Sequence, residues 1–230
     1  MKETKLKFGV IGSGSWATAL IKILSENNND INWYIRNKEN IEFIKKNSHN
    51  PNYLSSVELN LKKLKISAEI NKVVEASNVI IIAVPSEYVN EEMKKIDLDI
   101  SKKIIICALK GLVPETNLLF GEHMQKHFGI SPNKFLVIGG PCHAEEVALE
   151  KLSYLTIGSS NLELCKIISE KFSCKYINVK ASDDVIGIEY ASMLKNIFAL
   201  AVGISNGLGY GDNYQSVLMS NSIKLSLIHI

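Results

Sequence analysis

Arginine is almost absent from this chain, and neither sign of charge dominates it. Arg36 is the only arginine among 26 basic residues, and the formal net charge is +2. A charge this close to zero gives no electrostatic reason to expect a nucleic-acid partner or an acidic membrane surface. Because lysine carries nearly all of the positive charge, the position of the single arginine becomes informative.

Long apolar runs are also missing from the sequence. A membrane-spanning helix needs about 18 or more consecutive apolar residues, and no such run occurs. The first residues, MKETKLKFGVIG, lead directly into an apolar strand without the hydrophobic segment of a signal peptide. We therefore expect no membrane association and a cytoplasmic location.

Cysteine is scarce, and its spacing excludes the common metal motifs. The four cysteines, Cys107, Cys142, Cys165 and Cys174, form no C-x-x-C pair. We interpret them as reduced thiols of a cytoplasmic protein and predict no bound metal. Hydrophobic residues make up 46% of the chain, a proportion typical of a globular protein with a substantial core.

Strand and helix patterns alternate along the first 180 residues. Continuous apolar runs such as residues 78–84 suit a parallel sheet that is covered on both faces. The alternation predicts a doubly wound α/β domain over residues 1–180. The predicted strands are 5–11, 31–35, 64–67, 78–84, 103–109, 135–138, 153–157 and 175–179, and the predicted helices are 15–26, 39–46, 86–95 with Ser86 as N-cap, and 162–172.

The pattern changes after residue 180. Ser182 is positioned to cap a long apolar helix over residues 183–202, a glycine-rich turn follows at 207–211, and a second helical pattern begins at Asn213. A unit as small as residues 181–230 rarely buries enough surface to fold alone. This segment therefore packs on the first domain, forms a homodimer, or begins an α-helical domain whose remainder is absent.

A glycine turn follows the first predicted strand. Gly12, Gly14 and Ala17 fit the pattern G-x-G-x-x-G/A, which combines a tight turn, room for a pyrophosphate and close packing of helix on strand. The N-terminus of the next helix would offer N–H groups and a positive dipole to the phosphates. A chance pair of glycines is the alternative, but the position between strand and helix favours a nicotinamide-dinucleotide site.

The residue that ends the second predicted strand is informative about the cofactor. An acidic side chain there binds the ribose 2′-hydroxyl of NAD, whereas an arginine accommodates the 2′-phosphate of NADP. The residue is Arg36, and a planar guanidinium suits phosphate. This observation favours NADP over NAD, with a solvated charge at the strand end as the alternative.

Two lysines are candidates for chemistry. Lys195 lies in an otherwise apolar helix, and its neighbours one turn away, Ala191, Ser192 and Ala199, are small enough to leave room for a ligand. Desolvation disfavours the charged form of such a lysine, so it could exchange a proton with a carbinol oxygen. A lysine that snorkels to water is the alternative.

Lys110 ends an apolar strand, where ligands of open α/β sheets bind, although an exposed strand-end charge is an equal alternative.

The segment GGPCHA at residues 139–144 also follows a predicted strand. It could pass near a ligand, although a structural turn is the simpler interpretation. Cys142 has little support as a nucleophile, because His143 is adjacent but no pattern supplies a third partner. His49 and His143 are isolated, so we interpret them as polar loop residues rather than metal ligands.

Together these motifs resemble the bacterial-type NAD(P)-dependent glycerol-3-phosphate dehydrogenases. The resemblance extends over nearly the whole chain in the family's order. It implies a doubly wound Rossmann-type domain at residues 1–180, followed at 181–230 by the first helices of an all-α C-terminal domain. The matching segments are GSGSWATAL (12–20), WYIR (33–36), NPNYL (50–54), AVPS (83–86), LKG (109–111), GGPCHAEEV (139–147), EYASMLKN (189–196) and GLGYGDN (207–213).

The resemblance also implies roles for individual residues. Lys195 would donate and accept the proton, with Asn196 beside it. The family has Ser or Thr where Cys142 stands, and a thiol is a poorer hydrogen-bond donor, which weakens the expected contact there. The implied cofactor contacts are Gly12, Gly14, Ser15, Trp16, Ala17, Arg36, Lys110 and Ala144, and the implied substrate contacts are Lys110, Gly140, Cys142, Lys195 and Asn196.

The implied reaction interconverts dihydroxyacetone phosphate and sn-glycerol 3-phosphate with NAD or NADP, and it supplies glycerophospholipid synthesis. Family members continue with an Asp and a Ser-Arg-Asn cluster that this sequence lacks. Residues 225–230, LSLIHI, do not resemble the family, so we expect a C-terminally truncated enzyme. The alternatives are a related dehydrogenase acting on another hydroxy acid or a sugar acid, and an inactive fragment that only binds the cofactor.

Overall fold

The computed structural model describes residues 5–227, which form one mixed sheet with helices on both faces. The strands are β1 (Lys7–Ile11), β2 (Asp30–Tyr34), β3 (Leu64–Ser67), β4 (Val79–Ile82), β5 (Ile104–Cys107), β6 (Phe135–Gly139), β7 (Ser153–Gly158) and β8 (Ile177–Ser182). The helices are α1 (Ser15–Glu26), α2 (Lys38–Asn47), α3 (Ile70–Glu75), α4 (Val89–Met93), α5 (Phe120–Phe128), α6 (Ala144–Ala148), α7 (Leu162–Phe172), α8 (Val185–Gly207) and α9 (Asp212–Leu227).

The strand order places a ligand crevice at one end of the sheet. The order is β3-β2-β1-β4-β5-β6-β7-β8, and the strands from β3 through to β6 are all parallel. From β1 the chain first adds β2 and β3 on one side, and then it crosses over to place β4 on the other side of β1. The direction in which strands are added therefore reverses between β1 and β4. In open α/β sheets a crevice forms outside the carboxyl ends of the strands at such a reversal. The doubly wound fold predicted from the sequence is confirmed.

The far edge of the sheet departs from a parallel arrangement. β7 pairs with β6 in the antiparallel sense, with Val137 opposite Gly158 and Ile138 opposite Ile157, and β8 then runs parallel to β7. The reason is local, because the chain reverses through a turn at Gly140 and only the short α6 separates β6 from β7. In β8, Asn178 and Lys180 are exposed whereas Ile177 is buried and Val179 is half-buried, as expected for an edge strand with one solvated face.

Some of the predicted helix and strand bounds coincide with the observed ones. The predicted bounds of α1, α7 and β3 are confirmed. A single helix over 86–95 is wrong, because a 3₁₀ turn at Ser86–Tyr88 precedes α4 and Ser86 makes no side-chain capping bond. α3, α5 and α6 were not predicted, since five to nine residues show too little of a helical period.

The last two helices begin within two residues of their predicted positions, and α8 has a different cap from the predicted one. Asp184, not Ser182, caps α8, because its Oδ1 accepts the Gly187 N–H at 2.8 Å. Ser182 instead accepts the Asp184 N–H at 3.1 Å and so steadies the capping residue. Residues 225–227 lie in α9, whereas 228–230 lie outside the described residues, so the interpretation of segment 225–230 stays a prediction.

Two glycines allow α8 to pack on the sheet. A Cβ on Gly139 of β6 or on Gly158 of β7 would lie 2.6 Å from the side chain of Ile188. Ile188 therefore fits against the sheet only because both strands lack a side chain there. This contact fixes the first half of α8, which carries Lys195, above the end of β6.

Most of the remaining surface of α8 is apolar and exposed. Its most apolar 18-residue window has a mean hydropathy of 1.5 and is only 17% buried, and by length and composition alone the helix could cross a membrane. This is weak evidence, since the core helix of a soluble protein passes the same test. The expectation of no membrane association rested on uninterrupted runs, which Glu189 and Lys195 break, and it stays a prediction.

One buried hydrogen bond joins β2 to the glycine turn. Trp33 is fully buried, and its Nε1 donates to the carbonyl oxygen of Gly12 at 2.6 Å. Trp33→Phe should lower the free energy of unfolding by about 1–3 kcal/mol, because the buried carbonyl of Gly12 loses its donor. Guanidinium denaturation measures this change. Phe43→Leu, at an exposed aromatic of α2, is the control and should change stability by less than about 0.5 kcal/mol. Equal losses for both variants would contradict the structural role of the bond.

Candidate active site

The glycine turn brings β1 against the end of β4. Gly12 has a φ of +125°, and a Cβ there would lie 2.2 Å from the carbonyl oxygen of Ala83. Both the backbone conformation and the lack of space for a Cβ therefore require glycine at this position. Gly14 differs, because a Cβ there would meet no heavy atom within 4 Å, which leaves open space above the turn. Ala17 is fully buried in the core, as the third position of the motif requires.

The N-terminus of α1 is free to receive an anion. Gly14 is the N-cap and provides no side-chain capping bond, and within the described helix the first turn has no acidic residue. Ser15 and Trp16 begin the helix, so their N–H groups face the open space above Gly14 together with the positive end of the helix dipole. The residues present fit the pyrophosphate of a dinucleotide.

A crevice of about 210 Å³ extends from this turn towards the end of β2. Arg36 lies at its outer end with a side chain that is 76% exposed. The crevice also contains an acidic residue, Glu92, which the sequence did not single out. The lining residues are Gly12, Ser13, Gly14, Tyr34, Arg36, Tyr53, Ala83, Val84, Pro85, Tyr88 and Glu92.

A buried asparagine holds the loop after α2 against the glycine turn. Asn50 is 2% exposed, and its Nδ2 donates to the Ser13 carbonyl at 3.1 Å and to Thr18 Oγ1 at 2.9 Å. Its Oδ1 accepts the N–H of Tyr53 at 3.3 Å, which places the tyrosine at the crevice. Sequence reasoning gave neither residue a role, although an Asn before a Pro is the usual signal of a side chain that organises a turn.

Lys110 and Lys195 come together from distant parts of the chain. Lys110 follows β5, and its Nζ lies 5.7 Å from the centre of the Trp16 ring. Burial of the ammonium lowers the pKa of Lys110, and the positive charge of Lys195 lowers it further. Both lysines line one small cavity, so the strand-end lysine and the helix lysine belong to the same site.

The turn after β6 forms the wall beneath Lys195. Gly140 has a φ of +126°, and a Cβ there would lie 2.6 Å from the Tyr154 carbonyl oxygen, so the turn requires glycine. It borders a cleft of about 480 Å³ that is lined by Gly139, Gly140, Pro141, His143, Thr156, Ile188, Ala191, Ser192 and Lys195. The small residues Ala191 and Ser192 do leave room beside the lysine, as the sequence indicated.

The remaining predicted site residues differ in their exposure. Cys142 is 3% exposed and lines the small cavity with both lysines, and burial raises the pKa of its thiol, which disfavours a nucleophilic thiolate. Ala144 is buried at the start of α6. Asn196 is exposed and is not among the described residues that line either cleft of Lys195. His49 Nδ1 lies 3.0 Å from the Val57 carbonyl, in keeping with a polar loop residue.

A buried carboxylate joins α8 to α5. Glu189 is 8% exposed, and its Oε1 accepts the N–H of Gly121 at 3.1 Å, in the first turn of α5. Burial raises the pKa of Glu189 to about 7, and the negative charge of Glu122 adds to the rise. The sequence signal was an acidic residue six positions before Lys195 in an apolar helix, and we did not single it out.

A doubly wound sheet, with a glycine turn at its reversal and two lysines that line one cavity beside Trp16, defines a dinucleotide-binding α/β protein. The chain belongs to the NAD-dependent glycerol-3-phosphate dehydrogenase family. The model of the family's N-terminus matches residues 7–165, and the model of its C-terminus matches residues 184–226.

Curated relatives agree with this assignment. A glycerol-3-phosphate dehydrogenase of Macrococcus caseolyticus, named as using NAD(P)+, is 36% identical over 95% of this chain, and one from Bacillus pumilus is 33% identical over 94%. The chain spans 66% and 63% of the lengths of these two relatives.

Solved structures agree as well. The glycerol-3-phosphate dehydrogenase of Coxiella burnetii is 28% identical with a TM-score of 0.85, and the match covers 96% of this chain and 67% of that one. The enzyme of Plasmodium falciparum is 26% identical with a TM-score of 0.88, and the match covers 99% and 66% of the two chains.

Glu189 should make stability depend on pH. Its pKa rises from 4.5 to about 7 on folding, so the folded state binds more protons. The stability that the protonated form provides is complete below pH 4.5 and is lost as pH rises towards 7. Glu189→Gln should remove this loss, so the variant should gain in Tm relative to the parent more at pH 8 than at pH 5.

The control for this measurement is Glu163→Gln, at an exposed residue in the first turn of α7. Its Tm difference from the parent should not follow the same pH dependence. Thermal unfolding followed by circular dichroism at both pH values tests the point. A Glu189→Gln variant with the same Tm difference at pH 5 and pH 8 would contradict it.

Proposed function

We propose that this chain is an NAD(P)-dependent oxidoreductase that interconverts dihydroxyacetone phosphate and sn-glycerol 3-phosphate. The observation that carries the proposal is that Lys110 and Lys195 line one cavity beside Trp16, which begins the helix after the glycine turn. The proposed proton-transfer group and the proposed cofactor site thus lie at the same end of the sheet. The shared family and the printed names of the relatives support the substrate.

The proposed cofactor residues are those of the turn and crevice. The backbone of Gly12, Gly14 and Ser15 receives the pyrophosphate, supported by the uncapped N-terminus of α1. Trp16 and Ala144 stand towards the nicotinamide half, and Ala17 keeps helix and strand close together. Arg36 receives the ribose 2′ substituent, and Tyr53 adds a face of the same crevice. When bound, the cofactor supplies the hydride acceptor or donor.

The proposed chemistry of the chain itself is proton transfer and positioning. In the reducing direction Lys195 gives a proton to the carbonyl oxygen of the substrate, and in the other direction it takes the proton back. Lys110 holds the substrate with its positive charge, and its neighbour Trp16 shields that charge from water. Gly140 and Cys142 form the wall of the cavity. Asn196 is exposed on α8 and does not line the cavity, so its proposed contact with the substrate rests on the family resemblance alone.

We extend the proposal to organisation and location. Residues 1–180 form the dinucleotide-binding domain and residues 181–230 begin the α-helical substrate domain, supported by separate family matches on either side of residue 180. The four free cysteines support a cytoplasmic location. The partners are the small-molecule substrate and a second copy of the chain as a homodimer, and the product enters glycerophospholipid synthesis.

A second candidate is cofactor binding without turnover. It is favoured by the exposure of α8, where Ile197, Leu200 and Ile204 beside the lysine are more than half exposed. A site open to water weakens the electrostatic stabilisation that catalysis needs. Binding of NAD(P)H without reduction of dihydroxyacetone phosphate would support this second candidate.

Lys195→Met should abolish turnover while it preserves cofactor binding. Loss of a proton-transfer residue typically costs about 10²–10⁴-fold in rate, so reduction of dihydroxyacetone phosphate should fall by at least the lower figure. The reaction is followed by oxidation of NAD(P)H, and binding by its fluorescence. Lys180→Met, at an exposed lysine of β8, is the matched control and should leave both unchanged. Near-normal turnover in the Lys195 variant would refute its role.

Arg36→Asp should weaken the binding of NADPH more than that of NADH. The change removes a cation and adds an anion beside the ribose 2′ position, and only NADPH carries a phosphate there. Dissociation constants from fluorescence titration measure the effect. An equal loss of affinity for both cofactors would mean that Arg36 does not contact the 2′ substituent.

A further inference from the structure

A buried carboxylate lies beside Arg36 in the cofactor crevice. Glu92, on α4, is 6% exposed and lines the crevice together with Arg36. Its Oε1 lies 2.8 Å from Lys95 Nζ and 4.0 Å from Arg36 Nη1. Its Oε2 is buried and has no hydrogen-bond partner in the part of the chain that the structure describes.

Packing does not account for this carboxylate. Its neighbours on α4, Val89 and Met93, are both buried and apolar, so an apolar side chain would serve the helix at position 92. A buried charge with an unpartnered oxygen is costly in a folded protein. Nothing in the proposed proton transfer uses it, because it lies at the Arg36 end of the crevice rather than near Lys195.

Among the described residues, Arg36, Lys95 and Tyr34 are charged or titratable groups that interact with Glu92. Arg36 and Lys95 supply positive charge, and Lys95 is 40% exposed whereas Arg36 is 76% exposed. Tyr34 faces Glu92 from β2, and burial together with the negative charge of Glu92 raises the pKa of this tyrosine. The negative charge therefore reaches into the part of the crevice where Arg36 stands.

We propose that Glu92 sets the cofactor preference of this site by opposing an anion at Arg36. The inference rests on the proposed function, because it assumes a dinucleotide in the crevice. NADP carries a phosphate at the ribose 2′ position, whereas NAD carries a neutral hydroxyl. The charge of Glu92 repels the former and leaves the latter unaffected, so the site accepts NAD(H) more readily than Arg36 alone would allow.

Comparison of the two cofactors isolates this effect. Both carry the same pyrophosphate, so any influence of Glu92 on that group cancels in the ratio of their dissociation constants. A variant at Lys95 should have the opposite effect on the ratio, because the Lys95 ammonium lies 2.8 Å from Glu92 and neutralises part of its charge. Removal of Lys95 should therefore weaken NADPH binding selectively, whereas removal of the Glu92 charge should strengthen it.

The experiment measures dissociation constants of NADPH and NADH for the full chain by fluorescence titration at low salt. Glu92→Gln should tighten NADPH binding on the order of tenfold, as expected for the loss of one partly screened charge, and leave NADH unchanged. Lys95→Gln should shift the NADPH to NADH ratio in the opposite direction. Glu91→Gln, the same charge change at the adjacent exposed residue, is the matched control and should shift neither constant.

Four results separate failure of this proposal from failure of the proposed function. NADPH affinity that is unchanged or weaker in a folded Glu92→Gln variant would overturn the proposal, as would equal changes for both cofactors. If that variant does not fold, an unchanged ratio in Lys95→Gln overturns it. Failure of the unaltered chain to bind either cofactor would instead overturn the proposed function.

Discussion

The site depends on the close approach of β1 to the end of β4 at Gly12. The backbone there has a conformation that favours glycine, and its α-carbon faces the carbonyl of Ala83 with no room for a side chain. Trp33 then holds the turn by its hydrogen bond to the Gly12 carbonyl, and Asn50 holds it through the carbonyl of Ser13. Contacts from three parts of the chain thus order the turn in advance, which lowers the entropy that a ligand must lose on binding.

The position of the Lys195 helix also depends on glycines that leave space for close packing. Gly139 and Gly158 leave the space that Ile188 fills, and this contact places the lysine helix above the sheet. Glu189 joins the same helix to α5. The distance between the proposed proton donor and the glycine turn is therefore set largely by positions where side chains are missing.

The sequence predicted the parts of the fold that depend on local periodicity. The strand, glycine turn and helix around Gly12 were correct because motif and hydrophobic period agree there. The reversal of β7 was not predictable, since strand direction is set by tertiary pairing rather than by local pattern. The family resemblance predicted that Lys110 and Lys195 lie in one site. Glu92 and Asn50 were given no role, because their roles arise from burial and from long-range hydrogen bonds.

The exposed apolar face of α8 has a consequence for the handling of the protein. Ile197 and Leu200 are 55% and 66% exposed, so a hydrophobic surface of this helix meets solvent. Surfaces of this kind promote self-association at high protein concentration and attract chaperones during synthesis. Folding of the sheet and solubility of the chain are thus separate properties. Folding depends on the buried core around Trp33, whereas solubility depends on how much of the apolar face of α8 is covered.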